Sequence, residues 1–278
     1  MQKTDKADTN LSFMLHIYKQ LTGVTAFSTT RHGGVSQGAY ATFNANHYCG
    51  DRPEDVAQNR TLLCERLAVE QSSLIVPHQT HDTRTMVINR NFLLLPHDVQ
   101  TAMLEGIDAV CTDLKGVCVC VSTADCIPVL IHDPKHNVVS AVHAGWRGTV
   151  KRIVEKNIEV LADTYGTVPS DCRAVIGPGI SLTAFEVGDE VYETFRKEGF
   201  DMTTIAKRFP ALHATSSDDG QRWHIDLPLC NKQQLMECGL SEANIHLSGI
   251  CTYSQSDDFF SARRLGIKSG RILNGIVM

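Results

Sequence analysis

The chain has 278 residues, a net charge of −5, 42% hydrophobic and 21% charged residues. That is enough chain to bury a core without staples, and the composition is that of an ordinary globular protein. No basic excess exists to neutralise phosphates, which argues against nucleic acid or an anionic membrane as partner. No apolar run approaches the roughly 18 residues that span a bilayer.

Residues 1–10 are polar and charged, with no secretory apolar core. Residues 1–20 therefore read as a flexible leader and first strand region, residues 21–278 as a single domain, and the expected compartment is the cytoplasm. Residues 25–44 start as a strand and become a glycine-rich loop. Residues 53–68 read as a helix, with Pro53 at its start and Val56, Leu62, Leu63 and Leu67 at helical spacing. Strands are expected at 73–76 and 85–88, flanking His78-Gln79-Thr80-His81. The β-branched runs 117–121, 127–131 and 138–142 read as three adjacent strands. Val150, Ile153, Val154, Ile158 and Leu161 then recur at helical spacing up to Gly166. Further strands are expected at 173–176, 245–247, 259–262 and 271–277, and helices at 188–197 and 227–238. Strands outnumber helices without regular alternation, so the expected class is α+β, with mixed sheets flanked by helices.

The ten cysteines read as reduced thiols, mostly small buried hydrophobes. Cys126 is set apart by its surroundings. It lies in Thr123-Ala124-Asp125-Cys126, and His143-Ala144-Gly145-Trp146-Arg147-Gly148 follows at the end of the next apolar run but one. Taken alone, Cys126, His81 and His143 each have a structural reading, as a core thiol or a hydrogen-bonded imidazole. Together they are soft and borderline donors from three separate segments, each at the edge of an apolar run. Three such ligands suit zinc and leave it one open position for a water of lowered pKa. Two competing readings use the same residues: a cysteine nucleophile at Cys126 with His143 as base, and a non-catalytic zinc site with Cys120 or Cys251 as fourth ligand. A basic group accompanies them. Arg147 sits beside glycines that clear space, Arg263-Arg264 follow an apolar run, and Arg31-His32 precede Gly33-Gly34. Arginine in such places could bind phosphate or a carboxylate. Neither a Walker A motif nor G-x-G-x-x-G occurs, and Gly177-Pro178-Gly179 reads as a turn.

The ordered motifs carry a resemblance. They are Thr30-Arg31-His32-Gly33-Gly34-Val35-Ser36, Gly50-Asp51-Arg52-Pro53-Glu54 with Asn59-Arg60, His78-Gln79-Thr80-His81, Thr123-Ala124-Asp125-Cys126-Ile127-Pro128, His143-Ala144-Gly145-Trp146-Arg147-Gly148, Ile176-Gly177-Pro178 with Phe185-Glu186-Val187, and Cys251-Thr252-Tyr253 with Phe259-Phe260-Ser261. From about residue 25 to the end, the chain resembles the family once described as polyphenol oxidases or multicopper laccases. Its members are now described as purine nucleoside phosphorylases with adenosine deaminase and methylthioadenosine phosphorylase activity. The resemblance implies a catalytic domain with zinc on His81, Cys126 and His143, acting on purine nucleosides and phosphate as small-molecule partners. It implies His78 beside the ligands or on the substrate side rather than on the metal, Asp125 as a candidate proton shuttle, Arg147 or Arg263 on phosphate, and Asn44 or Gln79 on base or ribose. Two positions depart from the family pattern: Asp82, often glycine, and Ala262, often aromatic.

The older family name implies copper as the alternative metal, in a polyphenol oxidase. Coupled copper centres commonly use His-x-His pairs, and none of the twelve histidines has a partner two residues away. A link of the family to peptidoglycan-precursor editing implies the other alternative, a cysteine-type hydrolase.

Overall fold

The structure, a computed structural model, describes residues 14–211 and 220–278. The part of the expected leader before residue 14 lies outside the described residues. The strands are β1 (Leu15–Ile17), β2 (Thr25–Thr29), β3 (Leu74–Ile75), β4 (Thr85–Val87), β5 (Ala109–Thr112), β6 (Cys118–Thr123), β7 (Ile127–Asp133), β8 (Val138–Ala144), β9 (Arg173–Ile176), β10 (Glu186–Val187), β11 (Ala206–Pro210), β12 (Gln221–Ile225), β13 (Ile245–Leu247) and β14 (Ile272–Val277). The α-helices are α1 (Pro53–Leu67), α2 (Arg90–Leu93), α3 (His97–Met103), α4 (Trp146–Val150), α5 (Ile153–Tyr165), α6 (Asp189–Lys197), α7 (Met202–Ile205), α8 (Leu227–Glu237) and α9 (Ala262–Leu265).

A five-stranded sheet has the order β1-β2-β14-β6-β3, a six-stranded sheet β13-β9-β7-β8-β5-β4, and a three-stranded sheet β10-β12-β11. The pairs β3–β6, β4–β5 and β9–β13 are parallel and the others antiparallel, so both large sheets are mixed. The class is α+β, as the sequence suggests. Alternating side chains bury both faces of the six-stranded sheet. Val110, Leu130, Val139, Ala141 and Val175 meet Ala26, Val119, Val121 and Ile276 of the five-stranded sheet. Val129, Ile131 and Val142 face the other way, onto Ile153, Val154, Ile158 and Leu161 of α5 and Leu227 and Leu235 of α8. On the outer side of the five-stranded sheet, α1 covers Phe27, Cys118 and Cys120 with Leu63 and Cys64. Such two-faced burial explains why β6, β7 and β8 read as continuous apolar runs. Among the described residues no helix is long and apolar enough to cross a membrane.

Two expected elements differ. The helix expected up to Gly166 is two helices, because Arg152 adopts φ 62° and breaks the chain between α4 and α5. Gly166 does close α5 in the left-handed conformation, at φ 72°. The strand expected at 259–262 is a turn into α9. Ser261 caps that helix by accepting from the Arg264 amide, while Phe259 and Phe260 are buried against Ala124 and Ile272.

The link that matters most runs from β6 to β7. These consecutive strands are interior to different sheets, so Ala124-Asp125-Cys126 crosses from the end of one to the start of the other. Asp125 makes the crossing with φ 87°, a conformation that aspartate tolerates better than most side chains.

Candidate metal centre and cleft

Three elements bring the donors together. Cys126 immediately precedes β7, and His143 is the penultimate residue of the neighbouring β8, opposite Pro128. His81 comes from the loop between β3 and β4, with φ 65°. The three ligating atoms lie within 4.8 Å of one another. His143 is buried, Cys126 half-buried and His81 exposed, so the group is closed on the core side and open on the other. The two imidazoles meet edge to face at 4.8 Å between centroids. Gly145 caps the group: a Cβ there would stand 2.9 Å from His81 Cδ2 and 3.1 Å from Cys126 Sγ.

Asp108 holds the arrangement. Fully buried just ahead of β5, its carboxylate accepts from His143 Nδ1 at 2.8 Å and from the amides of His81 and Asp82, both at 2.9 Å. Its own carbonyl accepts the His143 amide at 2.8 Å. Burial opposes its ionisation, but the His143 hydrogen bond and charge and the backbone amides outweigh burial and hold the carboxyl below its usual range. An ionised Asp108 keeps the proton on His143 Nδ1 and leaves Nε2 as the ligand atom. Burial also pushes the Cys126 thiol up, yet His143 and His81 overcome this and bring it down to about 6. Burial pulls His143 down, and Cys126 and Asp108 together raise it to about 9. Thiolate and two imidazoles in this spacing fit a transition metal, whose binding would displace the proton that the pair shares. Among the described residues this is the single group of three or more such donors. Cys120 instead contacts Cys118 at 3.5 Å beneath α1, and Cys251 accepts from the Ser181 amide, so neither supplies a fourth ligand.

The group lies at the end of a cleft of about 300 Å³, whose lining includes Asn46, Tyr48, His78, Gln79, Ile267 and Arg271. That volume falls at the lower end for small-ligand sites. His78 stacks on Tyr48 at 4.2 Å, and its Nδ1 is 2.8 Å from the Glu105 carboxylate. Gln79 lines the cleft but spends its amide on β6: Nε2 donates to the Ser122 carbonyl at 2.8 Å and Oε1 accepts the Ser122 amide at 2.7 Å.

Four expected site residues are occupied elsewhere. Asn44 is fully buried behind the wall, donating to Asp51 and accepting from the Arg271 amide. The Asp125 carboxylate does not line the cleft; it accepts the Thr252 hydroxyl at 2.7 Å and the Arg263 amide at 2.6 Å. Arg147 lies over the Trp146 ring at 4.3 Å, and Arg263 donates through both terminal nitrogens to the Glu186 carbonyl. Arg31 likewise serves the framework, donating to the carbonyls of Ala41 and Ser256. Sequence reasoning missed Asp108, Glu105, Asn46, Tyr48 and Arg271. Only Asp108 left a signal, a carboxylate directly ahead of the apolar run Ala109-Val110-Cys111.

Known proteins resemble the chain over most of its length. Residues 25–278 match the family described as multi-copper polyphenol oxidoreductase laccase. A purine nucleoside phosphorylase of Bacteroides thetaiotaomicron is 46% identical over 255 residues, 92% of each chain. Adenosine deaminase RL5, from an unknown prokaryotic organism, is 41% identical over 262 residues, 94% of this chain and 97% of that one. Among solved structures, the hypothetical protein YfiH of Bacillus licheniformis has a TM-score of 0.84 at 27% identity, covering 95% of this chain and 96% of that one. YlmD of Geobacillus stearothermophilus has a TM-score of 0.79 at 30% identity, covering 94% and 93%. The chain is an enzyme of the multi-copper polyphenol oxidoreductase laccase family.

Proposed function

We propose that this enzyme is a zinc-dependent purine nucleoside enzyme that cleaves adenosine, inosine, guanosine and methylthioadenosine with phosphate and deaminates adenosine with water. The observation that carries the reading is the open-sided His81–Cys126–His143 group at the end of a cleft of nucleoside scale. The names of the relatives supply the substrate class: a purine nucleoside phosphorylase and an adenosine deaminase, each aligned over more than nine-tenths of the chain. Zinc is preferred to copper because one group of three donors suits a single closed-shell ion, whereas coupled copper chemistry calls for further imidazoles.

When bound, zinc would supply a Lewis acid and a water acidic enough to act near neutral pH. The chain's own residues do the rest. Asp108 orients His143, Gly145 clears the approach, and the Tyr48–His78 stack gives the base an aromatic wall. Glu105 at Nδ1 of His78 fixes that proton, so Nε2 can accept one and return it to the departing purine or amine.

The test is metal analysis together with turnover of the four nucleosides, with and without phosphate. Expected are one zinc per chain, lost in Cys126→Ala, free base only when phosphate is present, and ammonia from adenosine without it. Full turnover in a metal-free preparation would sink the zinc assignment. Absence of both base and ammonia from every nucleoside would sink the substrate class.

A further inference from the structure

Phosphorolysis needs a cation where phosphate enters, and neither arginine suggested by the sequence lines the cleft. Among the described residues that line it, one is a lysine or arginine, Arg271. It is close enough to Cys49 on the same lining that its charge acts on that thiol.

Its surroundings form a cradle. Nη1 donates to the carbonyls of Ser269 at 2.6 Å and Gly270 at 3.0 Å, and Nη2 donates to Ile267 at 2.9 Å. Three carbonyls fix the guanidinium plane, and of its five N–H groups two are left for a ligand. Those carbonyls are themselves fixed. Gly270 lies so close to the buried Phe260 ring that any Cβ would overlap it, and Ser269 Oγ donates to the Gly266 carbonyl at 2.7 Å. The Arg271 amide donates to Asn44 Oδ1 at 3.1 Å. No carboxylate of the described residues forms an ion pair with Arg271. A half-buried, pre-positioned arginine with spare donors and no counter-ion is what an oxyanion would complete.

Resting on the phosphorolytic reading above, we infer that Arg271 holds the attacking inorganic phosphate. In that step a phosphate oxygen forms the bond to C1′ as the C1′–N9 bond breaks. The bonding pair leaves with the purine, which takes up one proton, and the sugar departs as its 1-phosphate. Deamination uses water instead of phosphate, so it has no need of Arg271. Arg271 would thus separate the two reactions of one cleft.

The experiment compares wild type, Arg271→Gln and Arg271→Lys in two assays on the zinc-loaded enzyme. Adenosine turnover is followed as phosphate-dependent base release and as phosphate-independent ammonia release. Inorganic phosphate binding is measured by calorimetry without nucleoside. Removing a charged hydrogen-bonding partner of this kind costs about 10- to 100-fold. The expected result is therefore a rise of that order in the phosphate KM and Kd of Arg271→Gln, with ammonia release within about threefold of wild type. Arg271→Lys, which keeps the charge and loses the fork, should fall between. An unchanged phosphate KM and Kd in Arg271→Gln overturns the inference, as does parallel loss of both reactions in a variant with a wild-type melting curve. If Arg271→Gln does not fold, Arg271→Lys decides by the same two constants. Adenosine 5′-monophosphate binding more tightly than adenosine, with the advantage lost in either variant, would assign Arg271 to a nucleotide's phosphate and overturn it too. A wild type that binds phosphate through Arg271 but cleaves no nucleoside would sink the proposed function and leave this anion site standing. A wild type with no phosphate binding overturns the inference itself.

Discussion

The floor of the cleft and its outer wall hold their side chains by different means. At the floor, Cys126 directly precedes β7 and His143 sits on the adjacent β8, and one buried carboxylate, Asp108, gathers an imidazole and backbone amides at 2.8–3.2 Å. The wall is made of loops and one short helix: residues 46–49 on one part, and on another the segment from Ala262 to Arg271, which opens with α9 and continues as a loop. The floor is thereby rigid and committed to one donor geometry. The wall can change its side chains without disturbing a sheet, as loops on a fixed scaffold do. The departure at Ala262 falls on the wall, where it alters the lining of the cleft and leaves the donors untouched.

The largest effect should come from the floor. Cys126→Ala removes the only soft donor of the group, and the prediction is complete loss of bound zinc and turnover at background, read by metal analysis and nucleoside assay. Retained stoichiometric zinc would break the assignment of the floor. Gly145→Ala should follow. Its backbone, at φ −65° and ψ 165°, suits any residue, so the penalty is steric alone: the new methyl meets His81 and Cys126. Displacing donors by about 1 Å costs on the order of 100-fold in turnover, and an alanine variant with wild-type zinc affinity and rate would show that the approach is not tight. Asp108→Asn comes next. It puts an amide donor among groups that already donate, so zinc affinity should fall about 10- to 100-fold. Thermal stability should fall with it, by about 1–3 kcal/mol for a buried unsatisfied donor. Equal zinc affinity in the two proteins would take the orienting role away from Asp108.

The same contrast governs what the sequence made legible. His81, Cys126 and His143 stand out because small and polar residues interrupt apolar runs at strand ends. Asp108 does not, because its meaning depends on β5 lying beside β8, with Ala109 opposite Val142, and no local pattern encodes that pairing. The break at Arg152 was invisible because Val150 and Ile153 are buried on both sides of it, so the apolar spacing runs on unbroken. Phe259-Phe260-Ser261 read as a strand from its apolar pair. The cap at Ser261 and the acceptor offered to Arg263 by Asp125, 138 residues away, decided for a helix. Arg271 was hidden in the expected last strand, which begins instead at Ile272, because the Arg271 amide is diverted to Asn44. For Asp108, α9 and Arg271 the missing information was a contact between distant segments.

Asp125 joins the two regions, and it should give the smallest effect. It directly precedes Cys126 of the floor in the crossing link, yet its carboxylate grips Thr252 and the amide of Arg263, which anchors α9 and with it the wall. If Asp125 shuttled protons, Asp125→Asn would abolish deamination. As a tether, asparagine keeps an acceptor for one of the two partners and tolerates φ 87°. The prediction is therefore full zinc, kcat within about threefold of wild type and a modest rise in nucleoside KM. Asp125→Ala, which removes both acceptors and strains the crossing, should raise KM further while still holding its zinc. A kcat for ammonia release that collapses in Asp125→Asn at unchanged KM would return Asp125 to the chemistry. A KM effect that grows from Asn to Ala would show that the floor sets the position of the wall through this one carboxylate.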